Sequence, residues 1–306
     1  MKTKLLYAAM LIAIPGIPAI TASANDEGWQ DSFPIDSYTM TATGKNPYWG
    51  LKPGRFVVLG SLDPGGSEIV VISVLGETEM VDGTETRVIE EREFENGELV
   101  EISRNFFAMA EETGDVFYFG EDVDYYEDGE VVRHDGEWRA GVDGARAGLY
   151  MPAKPAAGMK YYMEVAPNVA MDRAEIVYID AAVETPWGTF RNSLLITESS
   201  PLEPDDESYK RYASGIGMIY DDGLELYKHG KRFPSERYIE FEISEEQMPK
   251  IPLAVVYELH PTGVIKEVKV EIRKKRAFYA VETFIDDEQW DVEVMDDGEV
   301  IRNKPD

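Results

Sequence analysis

Ile69-Val70-Val71-Ile72-Ser73-Val74-Leu75 is an almost unbroken run of β-branched and aliphatic residues, and its surroundings decide the fold class. A short apolar run bounded by Pro64-Gly65-Gly66 and Asp82-Gly83 reads as a strand. Asn96-Gly97, Asp128-Gly129, Asp135-Gly136 and Asp143-Gly144 repeat the punctuation. Such pairs supply the positive φ that two-residue hairpin loops require. Between them lie further runs such as Val116-Phe117-Tyr118-Phe119, and nothing before Ser244 keeps a 3.6-residue apolar period. The fold class is therefore mainly β. A large antiparallel meander over 47–240 forms a curved sheet, a sandwich or a half-barrel. Its first strand is expected at 55–62, with others at 160–165, 174–184 and 189–197. A hairpin over 217–227 turns at Asp221-Asp222-Gly223. Residues 25–46 read as a polar lead-in, and Pro201, Pro204 and the acids between them as an exposed connection.

The pattern changes near Ile243. Ser244-Glu245-Glu246-Gln247 is a capping box, and Met248, Ile251, Val255 and Leu259 recur at helical spacing. Pro249 and Pro252 suit only a first turn, which places the helix start near Pro252. His260-Pro261-Thr262-Gly263 stops it, with His260 expected to cap the last carbonyls. Strands at 264–272, 277–285 and 289–295 follow. One helix and three strands over 244–306 make a small α+β unit, marginal alone and stable if docked.

The N-terminus addresses the chain. A basic head, Met1-Lys2-Thr3-Lys4, precedes an apolar stretch over 5–20 and the small residues Ala22-Ser23-Ala24. That is the design of an export signal over 1–24, cleaved after Ala24, for a periplasmic or secreted protein. Pro15, Gly16 and Pro18 interrupt the apolar run, against a membrane anchor. The chain has no cysteine, which excludes disulfides, thiol catalysis, Cys-ligated zinc and iron–sulfur clusters. With 59 acidic against 30 basic residues, the net charge of −29 opposes nucleic acid and anionic lipid. Solubility, saline surroundings and the binding of cations or basic partners all fit that acidity. The expectation is a monomer that meets an unknown small ligand or an envelope protein, without cofactor, metal or stable membrane insertion.

Two resemblances add to this. Ile251-Pro252-Leu253-Ala254-Val255-Val256, Pro261-Thr262-Gly263-Val264-Ile265-Lys266-Glu267-Val268 and Asp297-Gly298-Glu299-Val300-Ile301 resemble the PepSY-like family of exported proteins. That likeness implies a non-catalytic module with a docking or inhibitory role. The stretch 46–230 resembles a group of bacterial secreted proteins of unknown function, the DUF3108-like or TapB-like group. It does so through Asn46-Pro47-Tyr48-Trp49-Gly50-Leu51-Lys52-Pro53-Gly54, Val116-Phe117-Tyr118-Phe119-Gly120-Glu121-Asp122-Val123 and Trp138-Arg139-Ala140-Gly141-Val142-Asp143-Gly144-Ala145. Met151-Pro152-Ala153 and Tyr212-Ala213-Ser214-Gly215-Ile216-Gly217 continue it. The group implies a β-rich fold and supplies no catalytic residue.

Candidate sites follow from residue chemistry. Asp122, Asp124, Glu127, Asp128 and Glu130 form the densest acidic cluster, but their spacing is not that of a calcium loop, and a solvated strand entering a hairpin explains them. Residues 138–148 combine small residues, Trp138, Arg139, Asp143 and Arg146. They suit an anionic or sugar ligand, or a loop in which Asp143 ties down an arginine. With Phe117, Tyr118, Glu121 and Asp122 they make the candidate ligand site. Lys274, Lys275 and Arg276 stand out against the acidic whole as a contact for the β domain, as a contact for an external acidic partner, or as a solvated hairpin tip. None of the three histidines follows a G-x-S-x-G elbow or a metal-ligand spacing. Function is expected to be ligand or partner binding without catalysis; the alternative is a glycosidase-like hydrolase using an acid pair near Glu121–Asp143.

Overall fold

A computed structural model describes residues 28–63, 65–232 and 238–306; the expected export signal lies outside them. After the short β1 (Met40–Thr41), the strands β2 (Phe56–Asp63), β3 (Gly66–Val81), β4 (Thr84–Glu95), β5 (Glu98–Ala110) and β6 (Val116–Glu127) run as an antiparallel meander. The turn signals do what their chemistry demands. Asp82 and Gly83 stand at φ 47° and 75°, and Asn96 and Gly97 at 50° and 86°. The free edge of β6 is then tiled by β7 (Glu130–Arg133), β8 (Trp138–Arg139) and β9 (Arg146–Met151).

The rest of the large sheet grows from the other side. β10 (Lys160–Tyr162) and β11 (Glu164–Val165) precede the meander β12 (Arg173–Thr185), β13 (Gly188–Ser200), β14 (Glu203–Ala213), β15 (Gly217–Asp221) and β16 (Leu224–Gly230). β16 pairs with β2, Leu226 opposite Leu59, joining the two meanders. Their far ends approach each other because β10 pairs with β12 while β11 pairs with β9. The sheet is rolled but not closed. The connection expected over 201–204 is shorter than its prolines suggest. Only residues 201–202 separate β13 from β14, and Pro204 lies within β14.

Side chains alternate between two cores. Val57, Leu59, Val70 and Ile72 face the concave interior with Trp49, Phe107 and Leu226. Their neighbours Phe56, Val58, Ile69, Val71, Phe94 and Leu99 face outward, onto the C-terminal unit. That unit comprises β17 (Tyr238–Ile243), α1 (Lys250–Leu259), β18 (Val264–Arg273), β19 (Arg276–Ile285), β20 (Glu288–Val294) and β21 (Val300–Pro305). It has five strands where the sequence suggested three. β17 pairs with β18, Phe241 opposite Val270, so the unit begins before its helix and before residue 244. The capping box closes a 3-10 turn, in which the Ser244 N–H donates to Gln247 Oε1 at 2.9 Å. The helix itself starts at Lys250, with Pro252 in its first turn where no N–H is needed.

The basic turn between β18 and β19 is seated on the large sheet. Lys275 Nζ donates to the Gly129 carbonyl at 2.6 Å and stands 4.7 Å from the Tyr126 ring centre. Arg276 pairs with Glu98 at 3.5 Å, and the Lys274 carbonyl accepts from Arg92 Nη1 at 3.2 Å. Lys274, Lys275 and Arg276 thus sit at a contact within the chain. Deeper in the seam, Ser67 Oγ donates to Asp296 Oδ2 at 2.5 Å and the Ala277 N–H to the Gly97 carbonyl at 2.7 Å.

The lead-in is a working part of the core. Phe33 and Tyr38 lie against the Phe117 ring at 5.7 and 6.1 Å, and β1 pairs with β5. Asn46 is buried, donates to the Gly114 and Met151 carbonyls, and accepts from the Tyr48 and Trp49 N–H groups. The Asn-Pro-Tyr-Trp stretch is a fastening for the interior.

Gly97 tests the seam. A Cβ there meets the Ala277 carbonyl at 2.5 Å and Met295 Cε at 2.9 Å, at φ 86°; Gly83 has a similar φ of 75° and open space. Gly97→Ala should lose roughly 2–3 kcal/mol in urea denaturation, and Gly83→Ala about 1 kcal/mol. Equal losses would contradict the docked arrangement.

Candidate functional site

The concave face carries carboxyl groups where a β core is usually apolar, and the strand register shows how. Glu91 lies opposite Ile72 on β3 and Ser103 on β5; Glu93 lies opposite Val70 and Glu101. On β6, Tyr125 faces Glu101 and Glu121 faces Asn105, while Trp138 on β8 faces Glu121. Directly opposed residues share a face, and Val70 and Ile72 fix it as the interior. The second meander contributes Lys210, opposite Asp221 and Ile196. Lys210 Nζ is 2.9 Å from Glu198 and 3.6 Å from Asp221.

This crowding of acids shapes their titration. Burial pushes Glu91 up to about 7, against the pull of Lys210. Burial, reinforced by Glu91, does the same for Glu101, also to about 7. Glu93 is raised well above the ordinary range by burial and by Glu101, and Glu121 by burial with Glu101 and Glu91. Asp221 rises to about 6 through burial, although Lys210 opposes it. Lys210 itself stays charged because Asp221 and Glu198 outweigh its burial. Near neutral pH several of these carboxyls are un-ionised, able to donate as well as accept a hydrogen bond.

Polar and aromatic groups complete the face. The Tyr118 hydroxyl donates to Asn105, whose amide donates to Ser103 Oγ at 3.0 Å. Tyr118 stacks on Phe107 at 4.8 Å and receives the edge of Trp138 at 5.1 Å. The buried Trp138 Nε1, Trp49 Nε1 and Tyr161 hydroxyl have no hydrogen-bond partner. Glu91 and Glu121 are only half-buried, whereas Glu93 and Glu101 are buried, so one side of the cluster is the reachable one.

The residues singled out from the sequence divide between the two faces. Tyr118, Glu121 and Trp138 belong to the concave cluster, and Phe117 is buried against the lead-in. Asp122 and Arg139 lie on the convex side as a 2.6 Å ion pair, with the guanidinium 4.1 Å from the Phe106 ring centre. Asp143 sits at an exposed turn with φ 49°, and Arg146 pairs with Asp31 at 3.6 Å. Neither arginine is tied by Asp143, which stands exposed, while Glu121 lies on the concave face opposite Trp138. Glu91, Glu93, Glu101, Lys210 and Asp221 are the residues sequence reasoning missed. A signal for them existed: β4 lies beside a strand whose run is apolar on both parities, so β4 must itself be covered on both sides.

Other candidates fall away. His260 does not cap α1 with its ring; the imidazole is buried between Thr283 Oγ1 at 2.6 Å and Asn303 Oδ1 at 3.1 Å. His134 is exposed beside Asp124 at 2.8 Å. Among the described residues no three acidic or histidine side chains converge as metal ligands. The apolar concavity lined by Trp49, Arg55, Val74, Ile89, Ile216 and Met218 holds about 30 Å³, room for a water or two and far below a ligand site. No family model, characterised protein or solved structure matches the chain.

Raised carboxyl pKa values fix the sign of the pH dependence. Between roughly pH 4 and 7 the folded state holds protons that the unfolded chain has released, so stability falls as pH rises and levels off above about 7. Urea denaturation across pH 4.5–8 should show this decline, and Glu91→Gln should flatten it by a few kcal/mol, on the order of 1.4 kcal/mol per pKa unit. Stability that rises over that interval would contradict the interior placement. Lys210→Met should cost about 3–5 kcal/mol at neutral pH by leaving Glu198 and Asp221 without their cation, measured in the same way.

Proposed function

We propose that this chain is an exported binding protein without catalytic activity, and that its rolled sheet takes a polar ligand on the concave, carboxyl-lined face. The observation that carries this reading is the set Glu91, Glu93, Glu101 and Glu121 on one interior face, with Lys210 committed to Glu198 and Asp221. A face serving only to hold the sheet together would be more stable apolar, since each buried carboxyl carries a desolvation cost. Clusters of perturbed carboxyls are typical of functional sites. In this reading the C-terminal unit is the PepSY-like module, docked on the convex face and leaving the concave face to the ligand. The stretch 46–230 is then the DUF3108-like or TapB-like part. Export follows from the sequence pattern of residues 1–24.

Native mass spectrometry of the full chain, expressed with its leader and purified from the periplasm or medium, tests this. The expected result is a polypeptide beginning at Asn25 that carries a bound small molecule, lost in the Glu91→Gln/Glu121→Gln variant. An unprocessed cytoplasmic chain would contradict export. A molecule retained unchanged by that variant would place binding elsewhere, and turnover of a glycan panel abolished by Glu121→Gln would replace binding with hydrolysis.

A further inference from the structure

The concave cluster specifies more than a polar ligand. Its carboxyls outnumber its cations, and Lys210, the lysine among them, is already held by Glu198 at 2.9 Å and Asp221 at 3.6 Å. The missing complement is positive charge. It is not a bare metal ion, because the acids do not converge on a single point. They are spread along β4, β5 and β6, a span that suits an organic cation.

A second observation is independent of the acids. Trp138 is 5% exposed, lies directly across from Glu121, and its indole N–H has no acceptor. An unsatisfied buried donor on that face calls for an acceptor on the guest, because left unpaired it keeps its full desolvation penalty. A cation alone offers no acceptor, whereas one bearing a hydroxyl does. The aromatic groups Tyr118, Trp138 and Tyr150 around it supply rings that attract a positive charge.

Resting on the binding function proposed above, we infer that the ligand is a hydroxyl-bearing organic ammonium ion. Its charge lies toward Glu91 and Glu121, the half-buried acids, and its hydroxyl accepts from Trp138 Nε1. Such an ammonium could be free or part of a phosphate-bearing headgroup. The free form fits, because a phosphate would enter a face already rich in acids.

Binding is coupled to protons. Glu91 shares β4 with Glu93, which faces Glu101 on β5; Glu121 on β6, Lys210, Glu198 and Asp221 from the second meander, and Tyr125 and Arg133 at the β6–β7 end complete the surroundings. An arriving cation favours their ionised forms, so the complex sheds protons at pH 6 and tightens toward pH 8.

Isothermal titration calorimetry with choline tests the inference, since its charge does not change with pH. Its uncharged carbon isostere dimethylbutanol and phosphocholine serve as controls. Choline should bind at least tenfold more tightly than either control, and about tenfold more tightly at pH 8 than at pH 6. Glu121→Gln and Glu91→Gln should each weaken it about tenfold, and Trp138→Phe severalfold, with circular dichroism confirming the fold. Dimethylbutanol binding as well as choline, while remaining sensitive to Glu121→Gln, would overturn the cationic class and leave the site standing. Phosphocholine binding as tightly as choline would overturn the preference for the free ammonium. Choline binding that is absent, or indifferent to all three substitutions, would overturn both the ligand class and the concave site.

Discussion

Strands β2 to β5 are covered on both faces, and that double burial organises the molecule. Val57, Leu59, Val70 and Ile72 fill the rolled interior, while Phe56, Val58, Ile69, Val71, Phe94 and Leu99 meet the C-terminal sheet. Each outward apolar side chain contributes roughly 1.5–3 kcal/mol by leaving water. A seam hydrogen bond such as Ser67 to Asp296 adds about 1 kcal/mol net. The apolar layer therefore dominates the docking, and the polar contacts fix its register. Without cysteine, no covalent tie assists it.

Double burial also gives the glutamates of β4 and β5 their character. On a one-sided sheet the polar face would be solvated and its acids ordinary. Here the convex face is taken by Phe94, Leu99 and the C-terminal strands, so Glu91, Glu93 and Glu101 turn inward. Lys210 answers part of that charge, and protons answer much of the rest. The convex face holds its own buried pair, Arg92 with Glu90 at 3.8 Å, beneath the Lys274 turn.

The fold was legible wherever it rested on local chemistry. Asp82-Gly83, Asn96-Gly97 and Asp128-Gly129 each take positive φ and join consecutive strands, and Ser244 and Gln247 do pair. What needed three dimensions was harder to see. Tyr238–Ile243 joins the C-terminal sheet through a partner some thirty residues on, across an intervening helix. The lead-in looked polar because its apolar residues Phe33, Ile35, Tyr38 and Met40 are spaced irregularly to plug a core rather than to follow a period. Of the site, Tyr118, Glu121 and Trp138 were visible from composition. Glu91 and Glu93 were not, since Glu90-Glu91-Arg92-Glu93 resembles a solvated strand until both its faces are known to be covered.

The raised proton affinity of the interior acids is the property on which the pH response, and the proton coupling of the proposed binding, depend. Carbonyl-detected NMR titration of glutamate-labelled protein, assigned with Glu91→Gln and Glu101→Gln, measures it directly. Glu91 and Glu101 should titrate with midpoints near 7, apart from the solvent-exposed glutamates. Midpoints for both in the ordinary carboxylate range would show that these side chains meet bulk water, and the acid-lined interior would be wrong.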